Sequence, residues 1–474
     1  MAGGTARGQP LDLDSCRPKM LGSRRTEGSR MSRELGKGAN GSWRWPAMVV
    51  AAAVAVPVAA PASAQQFDEL TQARAAVAAS ATDAAAQFRL GEALLEAREL
   101  PGARTAFETA LRHRSNWVDA LWGLARVKMA QGEYEASRDA CRRVISAAGD
   151  SAPEGHVCMG QAYLVWRRSS LAIEEFNKAL AVDADNAGAL CGLGDAHARA
   201  NELERAIESY RKALASDANL LPARLGLAAM LERKGDTAGA VAELQAALQI
   251  RPWSADAHYH LGRLGTGDEA IGHLAQAVAI RPSFTDAQLE YGRKLSAAGR
   301  WSEALAPLQA AFAQLPNVGS VNELLGIALW KTGNLAEAET RLRAAIQGVP
   351  NSSRAHEGLG EVLVASNRID DGLAELEIAA NLDSGNYEIL LRIATVLRGQ
   401  GRNTKALGFL DKALSLRSNL SRAEALYGDI LFEQGRYADA RTHYQAALDG
   451  DGAGLDRAYV QGRLQQIQNL APQR

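Results

Sequence analysis

Residues 187–220 read AGALCGLGDAHARANELERAIESYRKALASDANL, and this stretch decides the fold. Leu190, Leu193 and His197 fall at i, i+3 and i+7 around Gly194, which is one face of a first helix. Ala206, Tyr210, Ala213 and Leu214 repeat a spacing of about 3.6 residues, so a second amphipathic helix follows directly. Neither helix can bury its apolar stripe alone. A small residue returns with a period of 34 at Gly91, Ala125, Gly160, Gly194, Ala228, Gly262, Gly292, Gly326, Gly360, Ala394 and Gly428. Usually twelve residues later comes a second one, as at Ala103, Ala172, Ala206, Ala240, Ala304, Ala338, Ala406 and Ala440. Only the sixth unit breaks step, by lacking four residues between Gly262 and Ala270.

Two helix axes approach to about 8 Å only where the side chains at the crossing shrink to hydrogen or methyl, so these small residues mark the crossings. Gly132, Gly235, Gly299, Gly333, Gly401 and Gly435 follow the first small position by seven residues and suit a left-handed helix end. Pro252, Pro282, Pro316 and Pro350 close units at one phase, where a missing N–H is of little consequence because the next helix is about to start.

The period and the order of small, aromatic, glycine and proline positions resemble the tetratricopeptide repeat, over some 370 residues. Residues 187–220 and 319–352 match it best, the latter reading GSVNELLGIALWKTGNLAEAETRLRAAIQGVPNS. Departures are Ser137 and Cys141 in the second unit, Gly372 in the ninth, and the short sixth unit. The resemblance implies an all-α, right-handed superhelical solenoid of about eleven antiparallel helix pairs. The expected organisation is a leader and signal peptide over 1–64, a leading helix over 65–83, tandem units over 84–452, and a capping helix and tail over 453–474.

Residues 47–60, AMVVAAAVAVPVAA, follow Lys37 and Arg44 and precede Ala62-Ser63-Ala64, the three parts of a secretory signal. Cleavage is expected after Ala64, with Met31 the more natural start. An inner-membrane anchor through residues 47–60 is the alternative, but fourteen residues interrupted by Pro57 are short for about 30 Å of hydrocarbon. The expected location is therefore exported and periplasmic, with no membrane span after signal removal. Residues 65–474 carry 44 basic and 50 acidic side chains, a net charge of −6, which argues against nucleic acid as a partner. Of the three cysteines in this part, Cys141, Cys158 and Cys191, a Cys158–Cys191 bridge is conceivable, but buried free thiols are expected, because packed helices usually hold their backbones about 8–10 Å apart.

No Ser/His/Asp signature, glycine-rich phosphate loop or cysteine-pair metal spacing stands out, so the sequence predicts no catalytic residue, no cofactor and no metal. Asp256, His258, His260 and His273 cluster in the sixth unit. His258 and His260 are two apart on a helix and point to nearly opposite sides, so they read as exposed or half-buried histidines.

In this family's superhelix the first helices line the concave side, and positions 2, 5, 9 and 12 of each unit form one stripe. Position 5 is apolar or nearly so in the first seven units, from Phe88 and Trp122 to Tyr259 and Leu289. Arg126, Arg263 and Arg293 stand at position 9, and Met129, Leu164, Arg199, Trp330 and Lys331 at positions 12 and 13. These residues are the candidate site for a protein or peptide partner, with Trp122 and Tyr259 as anchors and the arginines reading carboxylates or carbonyls of an acidic, apolar segment. Glu323, Glu357, Glu361 and Asp429 give units seven to eleven a more acidic lining, which suggests a second site. Chaperone-binding relatives recognise a C-terminal carboxylate with lysine and asparagine at positions 5 and 9 of the first unit; here those positions are Phe88 and Glu92.

The expected function is an exported scaffold or adaptor in an envelope, secretion or polysaccharide-export assembly. A regulatory subunit of a separate enzyme such as a glycosyltransferase, or a glycan-binding protein, is the alternative.

Overall fold

The computed structural model describes residues 62–149 and 152–470, with side chains from residue 69 onward. The expected leader, the apolar run 47–60 and the Met31 start lie outside the described residues. Among the described residues there are 24 helices and no strand, and no helix is long and apolar enough to cross a membrane.

Helix α1 (Ala62–Ala79) leads into eleven helix pairs. Units one to three are α2 (Ala84–Glu96) with α3 (Leu100–His113), α4 (Val118–Ala130) with α5 (Tyr134–Ala148), and α6 (Pro153–Val165) with α7 (Ser169–Val182). Units four to six are α8 (Ala187–Arg199) with α9 (Leu203–Ser216), α10 (Leu221–Lys234) with α11 (Thr237–Ile250), and α12 (Ala255–Leu264) with α13 (Gly267–Ile280). Units seven to nine are α14 (Thr285–Ala297) with α15 (Trp301–Gln314), α16 (Gly319–Lys331) with α17 (Leu335–Gly348), and α18 (Ser353–Ala365) with α19 (Ile369–Leu382). The last two are α20 (Tyr387–Gly399) with α21 (Asn403–Leu416) and α22 (Ser421–Glu433) with α23 (Tyr437–Asp449); α24 (Arg457–Leu470) packs on α23 and buries Val460 and Ile467.

Most second helices carry one large buried residue that packs against the first helices. The Phe107 ring lies where a Cβ on Gly91 of its own unit would come to 2.7 Å, and one on Gly123 of the next unit to 2.5 Å. Tyr210 sits in the same way between Gly194 and Gly226. The 34-residue register read in the sequence captures only the first glycine of each pair. Where the plug is Phe107, Phe176 or Tyr210, a second glycine, two positions earlier in the following first helix, is equally required, because the ring touches both backbones; beside the leucine plugs that place also takes larger residues such as Glu290 and Leu324.

The unit-to-unit step also departs from 34 once more than the sequence reading allows. Ala125 and Gly160 are 35 apart, and α5 has 15 residues. Six turns between paired helices hold glycine at positive φ, from Gly401 at 68° to Gly235 and Gly333 at 89°. In units one, three, four and nine the same place is taken by Arg98, Arg167, Asn201 and Asn367 at φ 57–62°, so the turn geometry is imposed even where glycine is absent. The proline phase has a second use: the carbonyls of Pro252, Pro282, Pro316 and Pro350 each accept from a side chain six residues on, namely His258, Gln288, Asn322 and His356, at 2.8–3.1 Å. The turn that precedes each of these four helices is thereby tied to the helix itself.

The expectation that all three cysteines are free thiols is corrected. Cys141 and Cys158 form a disulfide across α5 and α6, with Cα atoms 5.4 Å apart, and among the described residues Cys191 is the free cysteine and is buried. Axes 8–10 Å apart still allow this, because each backbone cylinder has a radius of about 2.3 Å and facing Cα atoms come closer than the axes do. The pair Cys158 and Cys191 lies on two first helices, whereas this bridge joins a second helix to the next first helix.

The four residues missing from unit six shorten its first helix: α12 has 10 residues where α14 has 13, and only Gly265 and Thr266 separate it from α13. Beside this unit the solenoid meets its own beginning. Helix α1 packs against α13, and Arg251, in the turn before α12, pairs with Glu96 at the end of α2 at 3.0 Å.

Candidate partner-binding groove

First helices of successive units touch one another across the stack, as α4 touches α6 and α16 touches α18, while the second helices are held further apart. The inner face is therefore built from first helices. Its position-5 side chains are needed for packing: Val157, Cys191 and Leu391 are buried, and Phe88 lies on Trp117 with ring centroids 4.7 Å apart. Met129 and Leu164 also lie in the core, 9% and 5% exposed, so these two expected contact residues face neighbouring helices rather than solvent.

Trp122 is different. Its half-buried ring borders a hollow of about 200 Å³ that spans units two to four, together with Val118, Asp119, Glu154, Val157 and Asn186. The floor is apolar and the rim carries two exposed carboxylates, one of which, on Asp119, accepts from Trp117 Nε1 at 3.0 Å. Tyr259, by contrast, is half-buried against Phe284 at 4.9 Å, with Arg263 over its ring.

The arginines expected to read a partner's carboxylates already have carboxylates of their own. Arg126 donates to Glu92 at 2.9 Å, one repeat earlier in the same register, Arg263 pairs with Glu232, and Arg293 pairs with Glu290 at 3.3 Å. Arg199 is exposed, and its charge acts on Asp195. Burial nevertheless holds the Asp195 carboxyl above the usual carboxylate range, while Tyr210 donates to it at 2.6 Å.

In units seven to eleven the acidic lining read from the sequence is laced with arginines that the position-by-position reading omitted. Arg354 approaches Glu323, Arg392 pairs with Glu361 at 3.0 Å, and Arg398 pairs with Asp429 at 2.9 Å. Asp429 also accepts from Tyr444 at 2.7 Å and from Tyr459 of α24 at 2.9 Å, which ties the last helix to the stack. Glu357 lies near Glu361, Arg392, Lys331 and Arg354, and burial, with Glu361 adding to it, raises its carboxyl above the ordinary value. Lys331 sits over the half-buried Trp330 ring, 3.6 Å from its centroid, and burial lowers its ammonium. Among the described residues no cluster of three or more histidine, cysteine, aspartate or glutamate side chains could hold a metal ion.

Helix pairs stacked in one register, with first helices lining one face and a half-open aromatic hollow on it, define an α-solenoid repeat scaffold. Family models described as tetratricopeptide repeat match residues 64–116, 88–153, 159–220 and 323–386, and another matches 264–328. One described as a tetratricopeptide repeat-like domain matches 359–469. The chain belongs to the tetratricopeptide repeat family.

Among curated proteins it is similar to the DnaJ homolog subfamily C member 3 of Rattus norvegicus, 28% identical over 105 residues, which cover 22% of this chain and 21% of that one. It is also similar to the cellulose synthase operon protein C of Xanthomonas axonopodis pv. citri, 25% identical over 261 residues, covering 51% of this chain and 17% of that one. The chain thus spans about a fifth of the length of these relatives. Among solved structures it is similar to the APC/C hetero-tetramer Cut9-Hcn1, at 12% identity and TM-score 0.37, covering 84% of this chain and 99% of that one. Yeast Tom70 is similar at 13% identity and TM-score 0.36, covering 82% and 96%.

Proposed function

We propose that this protein is an exported, non-enzymatic adaptor that holds a segment of a partner protein on its inner face, in an envelope, secretion or polysaccharide-export assembly. The observation that carries the reading is the hollow beside Trp122, the one expected anchor that is half-buried and borders open space. With Arg126, Arg263 and Arg293 already paired and carboxylates of Asp119 and Glu154 on the rim, the favoured side chain has an apolar stem and a cationic head, a lysine or an arginine. This replaces the acidic partner segment expected from sequence. The Cys141–Cys158 bridge supports a compartment where disulfides persist. Likeness over half the chain to a cellulose synthase operon protein supports a polysaccharide setting.

In-cell crosslinking from a photoreactive residue at Trp122 and, separately, at Trp330 tests this. Capture of one discrete envelope protein at position 122, lost when Lys replaces Glu154, supports the adaptor. Capture of a glycosyltransferase would favour the regulatory-subunit alternative, and glycan-array binding without protein capture would favour the sugar-binding one.

A further inference from the structure

In several units a polar side chain near the start of the first helix meets one on the second helix 19 residues later. His156 meets Glu175 at 2.8 Å, Arg224 meets Glu243 at 2.8 Å, His356 meets Glu375 at 2.6 Å, and Glu424 meets His443 at 2.6 Å. Each pair sets a base or cation against a carboxylate. In unit six the four-residue deletion reduces the separation to 15, and the same place holds two histidines, His258 and His273, with their Nδ1 atoms 3.0 Å apart.

The hydrogen bonds fix the protonation of this pair. The Pro252 carbonyl can only accept, so His258 donates to it from Nε2 at 3.0 Å. When both rings are neutral, Nδ1 of His258 therefore accepts and Nδ1 of His273 donates. One added proton can be shared across the Nδ1 contact with a change of tautomer on His273. A second leaves two donors and two positive charges face to face. In units three, nine and eleven, by contrast, the imidazole stands opposite a carboxylate rather than a second imidazole.

The surroundings offer the pair little compensation. Glu269, on α13, acts on His273. Asp256, on α12, is held by Arg281 through two bonds of 3.0 and 2.7 Å. Glu232 of α10 is taken by Arg263, which also lies beside His260. Asp286 of α14 acts on Tyr259, and on the α1 and α2 side Arg74 pairs with Glu99 and Glu96 with Arg251. Burial lowers all three histidines of the unit, with His273 acting further on His258 and Arg263 on His260.

The pair also lies between the two contacts that close the solenoid on its own beginning. Helix α13, which carries His273, bears α1; His258 pins Pro252, the neighbour of Arg251, which holds Glu96. We propose that unit six is an acid-responsive joint in which double protonation of His258 and His273 separates α12 from α13 and releases α1 and Glu96. The sign follows from the direction of the shifts. Histidines lowered in the closed state bind fewer protons there than in the open one, so closure is fully stable above about pH 6.5 and weakens as pH falls below it.

Amide hydrogen exchange of the full chain, corrected for the intrinsic pH dependence of the chemistry, tests this at about pH 7.5 and about pH 5. Residues 62–79 and 255–280 should lose protection tenfold or more at the lower pH, while unit nine, with its His356–Glu375 pair, keeps its own. His273→Glu rebuilds the pairing of the other units and should abolish the loss. If circular dichroism shows that this variant is unfolded, His273→Gln, which cannot charge, takes its place with the same expectation. Unchanged protection in the natural sequence, an equal loss in all units, or the same response in the folded variant would each overturn the proposal. Arg251→Ala should expose residues 62–79 at both pH values.

Discussion

Cys141 and Cys158 occupy the two positions that elsewhere hold a buried plug and the glycine of the next unit. Cys141 is in the register of Phe107, Phe176 and Tyr210, and Cys158 is in that of Gly123, Gly192 and Gly226. The second-to-third unit contact therefore exchanges a ring packed on a backbone for a covalent bond, with Cα atoms at 5.4 Å. A sulfur on each side fills the space that one aromatic ring fills in the neighbouring units.

Reduction should therefore weaken this contact more than the rest of the stack. With its ends 17 positions apart in the sequence, the loop model gives a loss of about 3 kcal/mol. Thermal denaturation with and without reductant should show the loss, and hydrogen exchange should place it in units two and three. Cys158→Ser should behave like the reduced protein without reductant.

Glycines in this chain fall into two kinds that a single substitution separates. Gly226→Ala puts a methyl 2.5 Å from the Tyr210 ring and should cost about 1–3 kcal/mol through overpacking. Gly408→Ala, in the middle of α21 with open space around it, should stabilise by about 0.5–1 kcal/mol through helix propensity. Urea titration of both variants checks the opposite signs.

Arg167 holds a left-handed turn at φ 57° that six other units give to glycine. Arg167→Gly should relieve about 1 kcal/mol of backbone strain, partly offset by the greater freedom glycine has when unfolded. A rise in the denaturation midpoint without a change in slope is the expected result.

Tyr210→Phe removes the donor that Asp195 holds at 2.6 Å and leaves a buried carboxyl without it. The expected loss is about 1–3 kcal/mol at neutral pH. Because burial raises the Asp195 carboxyl in the fold, its protonated form is favoured there. Its stabilising contribution is complete below the unfolded value of about 3.9 and is lost as pH rises through the folded value. Denaturation of natural and variant chains from about pH 4 to pH 7 should show the penalty of the variant growing with pH.

The sequence by itself determined the class of fold, the number of helix pairs and the place where one unit is short. These depend on local spacing: a helix repeats every 3.6 residues, a left-handed turn favours glycine, and a crossing needs a small side chain, whatever the rest of the chain does. The second glycine beside the aromatic plugs Phe107, Phe176 and Tyr210, namely Gly123, Gly192 and Gly226, is equally present in the sequence but lies two positions off the main register. The tertiary structure alone decided which lining residues face solvent. Met129 and Leu164 share a helix face with Trp122-like positions, yet the next unit covers them, and Arg126 and Arg263 find Glu92 and Glu232 only once neighbouring helices are stacked. It alone brought Cys141 to Cys158 and His258 to His273, because a contact between helices depends on their separation and rotation. The meeting of Glu96 with Arg251 belongs to a still longer range, since it sums the small rotations of five units, and no local pattern records that sum.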